Sequence, residues 1–484
     1  MSNLALVPNT DEKLSPLERL QTLCDPGSLQ QVRGEVRSRR MGERTSPGDG
    51  VVGATGRVDG RPIACYAQDP SYVGGSLGEV QAETICHVLR TAGRARIPVV
   101  GFIESAGARM QEGVSALSGY GRIFHQHVAL SGVVPQISVV CGTSAGGGSY
   151  APALTDFVVM TEKSSMFLTG PAIVQEVTGE EVDAAGLGGP RVHQRNGVCH
   201  LVAPTEVDAA LLARDLLDHL PQSASQAPQR WPTVAPPDTA PDAVVQESDR
   251  SVYDVRKVAS ALVDGGRLLE IAPRWARNVV CALARLDGRA VGIIANQPKH
   301  LGGVLDSESA TKAARFVRTC NAFGLPLVVL VDTPGFLPGT GQERGGVIRH
   351  GAKLVHAFSE ASVPSVTVIL RKAYGGAFIA MNSKELGADF VFAWPSAQVG
   401  VMGAKQAVGI VNRREIAGSG DPEAARDALA DTYADEHLHA GAVTADGFVD
   451  EIVEPTETRT RIASALESLS TVARPQQVGG NIPL

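Results

Sequence analysis

No two of the seven cysteines form a C-x-x-C pair, and long runs of purely apolar residues are missing. The first absence argues against a zinc ribbon or a disulfide framework. The second argues against a transmembrane helix. A basic surplus is missing too: 44 Lys and Arg against 51 Asp and Glu leave a net charge of −7. That removes the electrostatic case for nucleic acid. An anionic ligand would need local Arg or Lys, or helix N-termini, acting against the overall field. Met1–Asp11 is polar, without the apolar core and cleavage site of a signal peptide. The phosphate-loop pattern G-x-x-x-x-G-K-[ST] is absent as well. Together these absences predict a cytoplasmic, reduced protein that holds no metal, crosses no membrane and binds no nucleic acid.

What is present is glycine, repetition and short buried strands. The chain has 53 glycines and is 43% hydrophobic, which suits a compact, turn-rich α/β protein. Its 484 residues are too many for one core and suit two domains of about 200 residues each. The halves repeat one another. Pro98-Val99-Val100-Gly101-Phe102-Ile103-Glu104-Ser105-Ala106-Gly107 returns as Pro326-Leu327-Val328-Val329-Leu330-Val331-Asp332-Thr333-Pro334-Gly335. Val134–Val140 followed by Gly146-Gly147 returns, at an offset one larger, as Val363–Ile369 followed by Gly375-Gly376. Arg57-Val58-Asp59-Gly60-Arg61 returns as Arg285-Leu286-Asp287-Gly288-Arg289.

The runs Val99–Ile103 and Gln136–Val140 are β-branched and bounded by Pro and Gly, so they predict buried strands. Glu79–Gly93 and Met110–Leu130 predict the helices between them. The second half predicts strands at Val291–Ala295, Leu325–Val331 and Ser365–Leu370, with helices at Ser309–Phe323 and Gly346–Ser359. Such alternation implies parallel pairing with right-handed crossovers. Leu14–Arg40 reads as helical and charged, opened by Ser15-Pro16-Leu17-Glu18. Its cluster Arg37-Ser38-Arg39-Arg40 is a solvated face or a contact for ligand phosphates or a partner. Six prolines fall within Pro221–Pro241, an inter-domain linker by composition. Asp421-Pro422-Glu423 opens a late helix. The predicted organisation is a first domain at 1–225, a linker at 226–245 and a second domain at 246–484.

The turn Gly142–Tyr150 contains G-x-S-x-G, the nucleophile elbow of serine hydrolases, with Ser144 as nucleophile. The repeat argues against that use. At the offset that maps Gly146 and Gly147 onto Gly375 and Gly376, Ser144 maps onto Ala373. Duplication kept the glycines and not the serine. A glycine pair at a helix N-terminus lets backbone N–H groups approach a ligand closely. Two such groups aimed at a carbonyl oxygen form an oxyanion hole, and each donor is worth about 2.7–4 kcal/mol to a developing charge. Taking a proton from the carbon beside a thioester needs that. Tight strand–helix packing is the bland use of one pair, and two equivalent pairs favour the hole.

Taken together, the motifs match a family. Gly74-Gly75-Ser76-Leu77-Gly78-Glu79, Ser105-Ala106-Gly107-Ala108-Arg109-Met110-Gln111-Glu112-Gly113 and Ser144-Ala145-Gly146-Gly147 closely resemble the carboxyltransferase (β) subunit of biotin-dependent acyl-CoA carboxylases, nearest the propionyl-CoA carboxylase type. The second half resembles it in Ala295-Asn296-Gln297-Pro298, Val331–Gly339, Arg349-His350-Gly351-Ala352-Lys353, Arg371-Lys372-Ala373-Tyr374-Gly375-Gly376-Ala377 and Val401-Met402-Gly403-Ala404-Lys405. The likeness runs from about Leu14 to Val453.

The resemblance implies an α/β chain of two tandem crotonase-like (ClpP/crotonase) domains related by duplication. It implies an active site shared between the N-half of one subunit and the C-half of another, in a homohexamer built as a dimer of trimers. One glycine pair of the family holds the acyl-CoA thioester oxygen and the other the biotin ureido oxygen. Carried over, these are Gly146 and Gly147, and Gly376 and Ala377, with Tyr374 and Gly375 on the biotin side. The first pair is favoured for the thioester. Gly107, Ala108, Arg109, Ile379 and Lys405 are the substrate-side candidates. Arg109 and Lys405 would meet CoA phosphates or the carboxylate, with ion pairs as the equal alternative, and His350 reads as structural. The cofactor, carboxybiotin, would release CO2 and its ureido nitrogen would take the α-proton, so the protein supplies position and charge stabilisation.

Some positions depart from the family pattern. Ser-Gly-Gly-Ala-Arg is Ser105-Ala106-Gly107-Ala108-Arg109 here, and Gly-Pro-Cys-Ala-Gly-Gly is Gly142-Thr143-Ser144-Ala145-Gly146-Gly147. Ile379 stands where propionyl-type members commonly carry Asp, which admits acetyl-CoA or a less common acyl-CoA. No A-M-K-M-like biotinylation site occurs. The chain is therefore expected to depend on a separate biotin carboxylase and biotin carrier (α) subunit. The rivals are the same transferase serving a biotin-dependent decarboxylase, and an inactive assembly subunit.

Overall fold

The computed structural model describes residues 13–245, 251–469 and Pro483. Met1–Asp11 and the expected start of the second domain at 246 lie outside the described residues. The chain divides into two compact units, Met1–Ala227 and Pro228–Leu484.

The first unit is built on an eight-stranded sheet: β1 (Gln30–Val32), β2 (Val51–Val58), β3 (Arg61–Gln68), β4 (Val99–Ser105), β5 (Gln136–Ala145), β6 (Phe157–Thr161), β7 (Ser165–Phe167) and β8 (Leu201–Ala203). The order is β1-β2-β3-β4-β5-β6-β8, with β7 paired to the end of β5. Pairing is antiparallel through β1, β2 and β3 and parallel from β3 onward. Every residue of β4 is buried, as an apolar run in a covered parallel sheet requires.

The second unit repeats this strand for strand with β9 (Leu268–Glu270), β10 (Val279–Leu286), β11 (Arg289–Asn296), β12 (Leu327–Thr333), β13 (Ser365–Tyr374), β14 (Phe390–Ala393), β15 (Gln398–Gly400) and β16 (Glu451–Ile452). Its order is β16-β14-β13-β12-β11-β10-β9, with β15 on β13. Even the irregularities recur. The isolated parallel bridge Leu77–Ala108 has its copy in Leu305–Phe336. Gly74 and Gly75 take φ of +63° and +69°, and Gly302 and Gly303 take +64° and +78°. The two-domain duplication expected from the sequence is the fold observed.

Each unit has its own core. Leu77, Ile85, Leu89, Ile103, Ile123 and Val140 cluster in the first, and Val258, Leu262, Val291, Leu330, Val368 and Ile462 in the second. Two helices of the first unit, α2 (Glu79–Ala95) and α3 (Val114–Leu130), pack together over the sheet and flank the site. Among the described residues no helix is long and apolar enough to cross a membrane.

Three sequence expectations differ. The helix expected over Leu14–Arg40 is only Pro16–Leu23. Pro26 cannot continue it, Gly27 turns with φ +73°, and the chain then enters β1. The helix expected over Met110–Leu130 breaks at Gly113, whose φ of +57° separates a single turn at Met110–Glu112 from α3. The Pro-rich stretch lies along the second unit from Pro228 onward. Trp231 N–H donates to Gly288 O at 2.8 Å, Thr233 Oγ1 to Asp287 Oδ1 at 2.8 Å, and Gly265 N–H to Ala235 O at 3.1 Å. Carbonyls and side chains fasten a segment whose prolines offer no N–H.

A buried histidine ties α3 to β5. His127 is 2% exposed, and its Nδ1 lies 2.8 Å from Gln136 Oε1, while Gln136 Nε2 donates to His127 O at 3.0 Å. Burial holds this imidazole below its ordinary value of 6.5, so it is neutral in the fold. An unfolded histidine gains a proton as pH falls through about 6.5 and the folded one only at lower pH, so acid favours unfolding. Chemical denaturation should therefore show stability falling below that pH, by up to about 1.4 kcal/mol per pH unit from this residue. His127→Gln should flatten that dependence. Equal slopes for the two proteins would show that His127 does not contribute.

Candidate active site

The site is where two neighbouring parallel strands lose register. The β4–β5 pairing runs evenly from Val99–Gln136 to Ile103–Val140, then shifts, and Ser105 meets Ser144. Beyond the shift the two chains part as Ser105–Arg109 and Ala145–Gly148, with the end of β5 paired to β7 instead. These segments abut backbone to backbone: a Cβ on Gly107 would lie 3.5 Å from Ala145 O. The second unit shifts at the same place, between Val331 and Thr333, and Thr333 meets Ala373.

Each expected donor has a definite state. Gly146 takes φ +57°, a conformation L side chains rarely adopt, and its N–H donates to Phe167 O at 3.0 Å. Gly147 is the first residue of helix α4 (Gly147–Ala153), so its N–H is one a helix leaves without an internal partner. A Cβ on Gly147 would lie 2.7 Å from the Tyr120 ring. A Cβ on Gly148 would lie 3.5 Å from the Tyr120 hydroxyl oxygen. Of the expected pair Gly146 and Gly147, then, only Gly147 has a disposable amide, because β7 engages the other.

Gly107, with φ +101°, gives its N–H to Ser105 Oγ at 3.2 Å, and its carbonyl accepts from Leu77 N–H at 2.8 Å. Arg109 N–H returns to Leu77 O at 2.9 Å. Between them, the Ala108 N–H has no partner among the described residues. Gly107 and Ala108 are thus brought to the turn that carries Gly147.

The second turn is backed differently. Gly375 repeats the φ of Gly146, at +60°, and a Cβ there would lie 3.1 Å from Val401 O. Gly376 has nothing within 4 Å of an added Cβ. Ala377 is fully buried, in the first turn of the helix Gly375–Ala380. Tyr374 is buried, and its hydroxyl donates to Gln398 Oε1 at 2.5 Å, fastening β13 to β15. Side chains flank both turns at equivalent positions. Ile379 is 49% exposed, and its counterpart in the first unit, Tyr150, is 52% exposed.

Arg109 is not available to a substrate. It is 1% exposed and bonded to Asp49 at 2.7 Å and Glu112 at 2.9 Å, with further bonds to Asp49 O and Ser76 O. Of its two readings, the ion pair is the one the structure contains. It ties the Asp49 turn to the entry of α3, and removing it would strand two buried carboxylates. Lys405 is half exposed and paired with Asp427 at 2.5 Å. His350 bonds through Nδ1 to Thr311 Oγ1 at 2.8 Å, and burial with nearby Arg349 and Lys353 lowers its pKa.

Ser144 fails as a nucleophile. It is fully buried, and among the described residues its hydroxyl has no hydrogen-bond partner, whereas an attacking serine needs access and a base within reach. Among the described residues no three His, Cys, Asp or Glu side chains are grouped to hold a metal ion.

Sequence reasoning missed two features. Tyr120 backs the first turn, and its only signal was a tyrosine in the helix following the Ser105–Arg109 motif. The other is a buried carboxylate at the end of β4 and β12. Glu104 meets Arg19 at 2.8 Å and Lys13 at 2.5 Å. Its counterpart Asp332 meets Arg371 at 3.1 Å and accepts from the Tyr253 hydroxyl at 2.8 Å. The repeat pairs the two acids; their different cations are distant in sequence.

Comparison with known proteins agrees with this geometry. Residues 9–481 match the family described as the carboxyl transferase domain. The methylmalonyl-CoA carboxyltransferase 12S subunit of Propionibacterium freudenreichii subsp. shermanii is 45% identical over 484 residues, covering 97% of this chain and 92% of that one. The propionyl-CoA carboxylase carboxyltransferase subunit of Haloferax mediterranei is 44% identical, covering 98% and 94%. The crystal structure of the transcarboxylase 12S hexamer with methylmalonyl-CoA and methylmalonic acid bound aligns with a TM-score of 0.94 at 45% identity, over 98% of this chain and 92% of that one. Duplicated sheets ending in matched glycine turns, and a family match over nearly the whole sequence, lead to one conclusion: the chain belongs to the carboxyl transferase family, as a carboxyltransferase subunit of the biotin-dependent acyl-CoA carboxylase kind.

Proposed function

We propose that this chain transfers a carboxyl group between biotin on a separate carrier protein and the α-carbon of a short-chain acyl-CoA, propionyl-CoA or acetyl-CoA. The observation that carries the reading is the pair of equivalent turns, each placing a glycine amide at the head of a helix at the end of a buried strand. Relatives named for propionyl-CoA and methylmalonyl-CoA chemistry match this chain across the whole site.

The first turn takes the thioester. Gly147 N–H, with Ala108 N–H beside it, faces the oxygen that gains charge when the α-proton leaves. Each such donor contributes about 2.7–4 kcal/mol to that charge. The Tyr120 ring holds Gly147 from behind, so the donor needs little reorganisation as the charge grows. The second turn takes the biotin ureido oxygen, through Gly376 and Ala377. The room above Gly376 suits a bulky group that a carrier brings and removes. When bound, the carboxylated biotin supplies the CO2 and the proton acceptor. The protein's residues hold both carbonyls and exclude water. Ile379 adds apolar surface beside the second turn. The working assembly is a homohexamer, a dimer of trimers, served by a biotin carboxylase and biotin carrier α-subunit, in the cytoplasm.

The reverse reaction tests this reading with the chain alone. Malonyl-CoA or methylmalonyl-CoA should lose its carboxyl group when free biotin is added, at a rate that saturates in both. No biotin-dependent loss from either would count against the reading. Gly147→Val should abolish the turnover, since it removes the space that Gly147 shares with Tyr120, and full activity would displace the thioester from this turn.

Gly376→Ala separates ligand space from protein space. The added methyl meets no protein atom within 4 Å, so thermal stability should stay within about 1 °C. Biotin-dependent turnover should fall about tenfold, chiefly through a higher KM for biotin. Unchanged turnover would remove biotin from the space above Gly376.

A further inference from the structure

We propose that Tyr120 is the positioning residue of the acyl-side turn, acting through its hydroxyl on Ser105 and its ring on Gly147 to set the spacing of the backbone amides left to the substrate. The inference rests on the assignment of the thioester oxygen to the turn at Gly147.

Tyr120 lies on α3, 5% exposed, beneath the shift in β4–β5 pairing. Its ring stands against Gly147, leaving no room for a Cβ. Its hydroxyl shares a 3.3 Å hydrogen bond with Ser105 Oγ. Ser105 Oγ in turn accepts from Gly107 N–H at 3.2 Å. The relay therefore runs from the Gly107 amide through two buried hydroxyls to the Tyr120 ring packed against Gly147, joining the two segments that diverge at the shift. The hydroxyl end holds the Gly107 amide, next to Ala108, and the ring end packs on Gly147, so the amides of Ala108 and Gly147 are the ones left. With both ends tied, the relay fixes the spacing between those remaining donors.

A donor pair set by a rigid backing acts in the transition state more than in the ground state, because the thioester oxygen gains charge only as the α-proton leaves. Tyr120 touches neither the reacting atoms nor the substrate. Its removal should therefore lower kcat and leave KM for the acyl-CoA unmoved.

The second unit lacks this device. Thr333 Oγ1 repeats the Ser105 contact, accepting from Gly335 N–H at 3.3 Å, yet among the described residues no side chain stands within 4 Å of a Cβ on Gly376. The backing is a property of the acyl side alone.

The experiment uses the assembled full-length protein, free biotin and malonyl-CoA or methylmalonyl-CoA. Tyr120→Phe keeps the ring and removes the hydroxyl. It should cut kcat about tenfold, the weight of one buried hydrogen bond. KM for the acyl-CoA should stay within about twofold. Ser105→Ala should reproduce the loss, and the double variant should be no worse than either single, because both break one relay. An unchanged kcat in Tyr120→Phe and Ser105→Ala would overturn the proposal, as would losses that multiply in the double variant or a KM that rises in step with the fall in kcat. Gly147→Val serves as the control on the underlying assignment. An inactive Gly147→Val beside an unaffected Tyr120→Phe overturns the relay alone, whereas an active Gly147→Val overturns the placement of the thioester and the relay with it.

Discussion

Parallel strands hydrogen-bond at even intervals, so a pair that keeps register to its end closes the sheet there. The β4–β5 pair does not keep it, and neither does β12–β13. At the shift the two chains part, and each must turn within a few residues while its neighbour's backbone runs alongside. The backbone there adopts positive φ, which L side chains rarely accept. Gly107 and Gly146 on one side, and Gly335 and Gly375 on the other, take positive φ because the turn demands it. The amides exposed by this parting of chains are the ones proposed as oxyanion donors. The register shift thus comes first physically, and the glycines and the chemistry follow from it.

The same location carries a second constraint. The ends of β4 and β12 each bury a carboxylate, Glu104 at 7% exposure and Asp332 at 0%. A buried charge needs a partner, and the two units find one by different routes. In the first, Arg19 reaches Glu104 from the short N-terminal helix and also bonds Glu206 at 2.8 Å. In the second, Arg371 comes from β13 itself, and burial still pushes the Asp332 carboxyl up. Arg371 stands where the first unit has Gly142, a residue whose Cβ would collide with Glu104. The duplicated scaffold kept the acid and exchanged the cation, which shows that the charge at this place matters more than the means of balancing it.

Much of this was legible in the sequence because duplication acts as an internal control. The offset between halves identified β4 with β12 and β5 with β13, separated the retained glycines from the unretained Ser144, and so set aside the hydrolase pattern. What was not legible depended on tertiary distance. Nothing local marks Gly146 N–H as engaged by Phe167, a residue on β7. Arg109 lies in a motif that resembles a substrate-contacting loop, and only the fold brings Asp49 beneath it. The break at Gly113 was hidden for another reason. The residues on both sides suit a helix, and the break is a positive φ at Gly113 beside the buried ion pair between Arg109 and Glu112. Tyr120 was invisible because its importance comes from what its ring excludes.

The two turns are equivalent in backbone and unequal in support, and that inequality fits the work each would do. An enolate is a transient charge on a small group, stabilised best by dipoles that do not move when it forms. A ring packed against Gly147 and amides tied through Ser105 provide such fixity. A group delivered on a carrier must enter and leave each cycle. For it, a turn with open space above Gly376 costs less than a tightly walled one, since a snug wall would have to reopen with every transfer. Divergence after duplication would then have acted on the residues behind the amides rather than on the amides themselves. This explains how one fold, repeated, can hold two unlike carbonyl groups with nearly the same backbone.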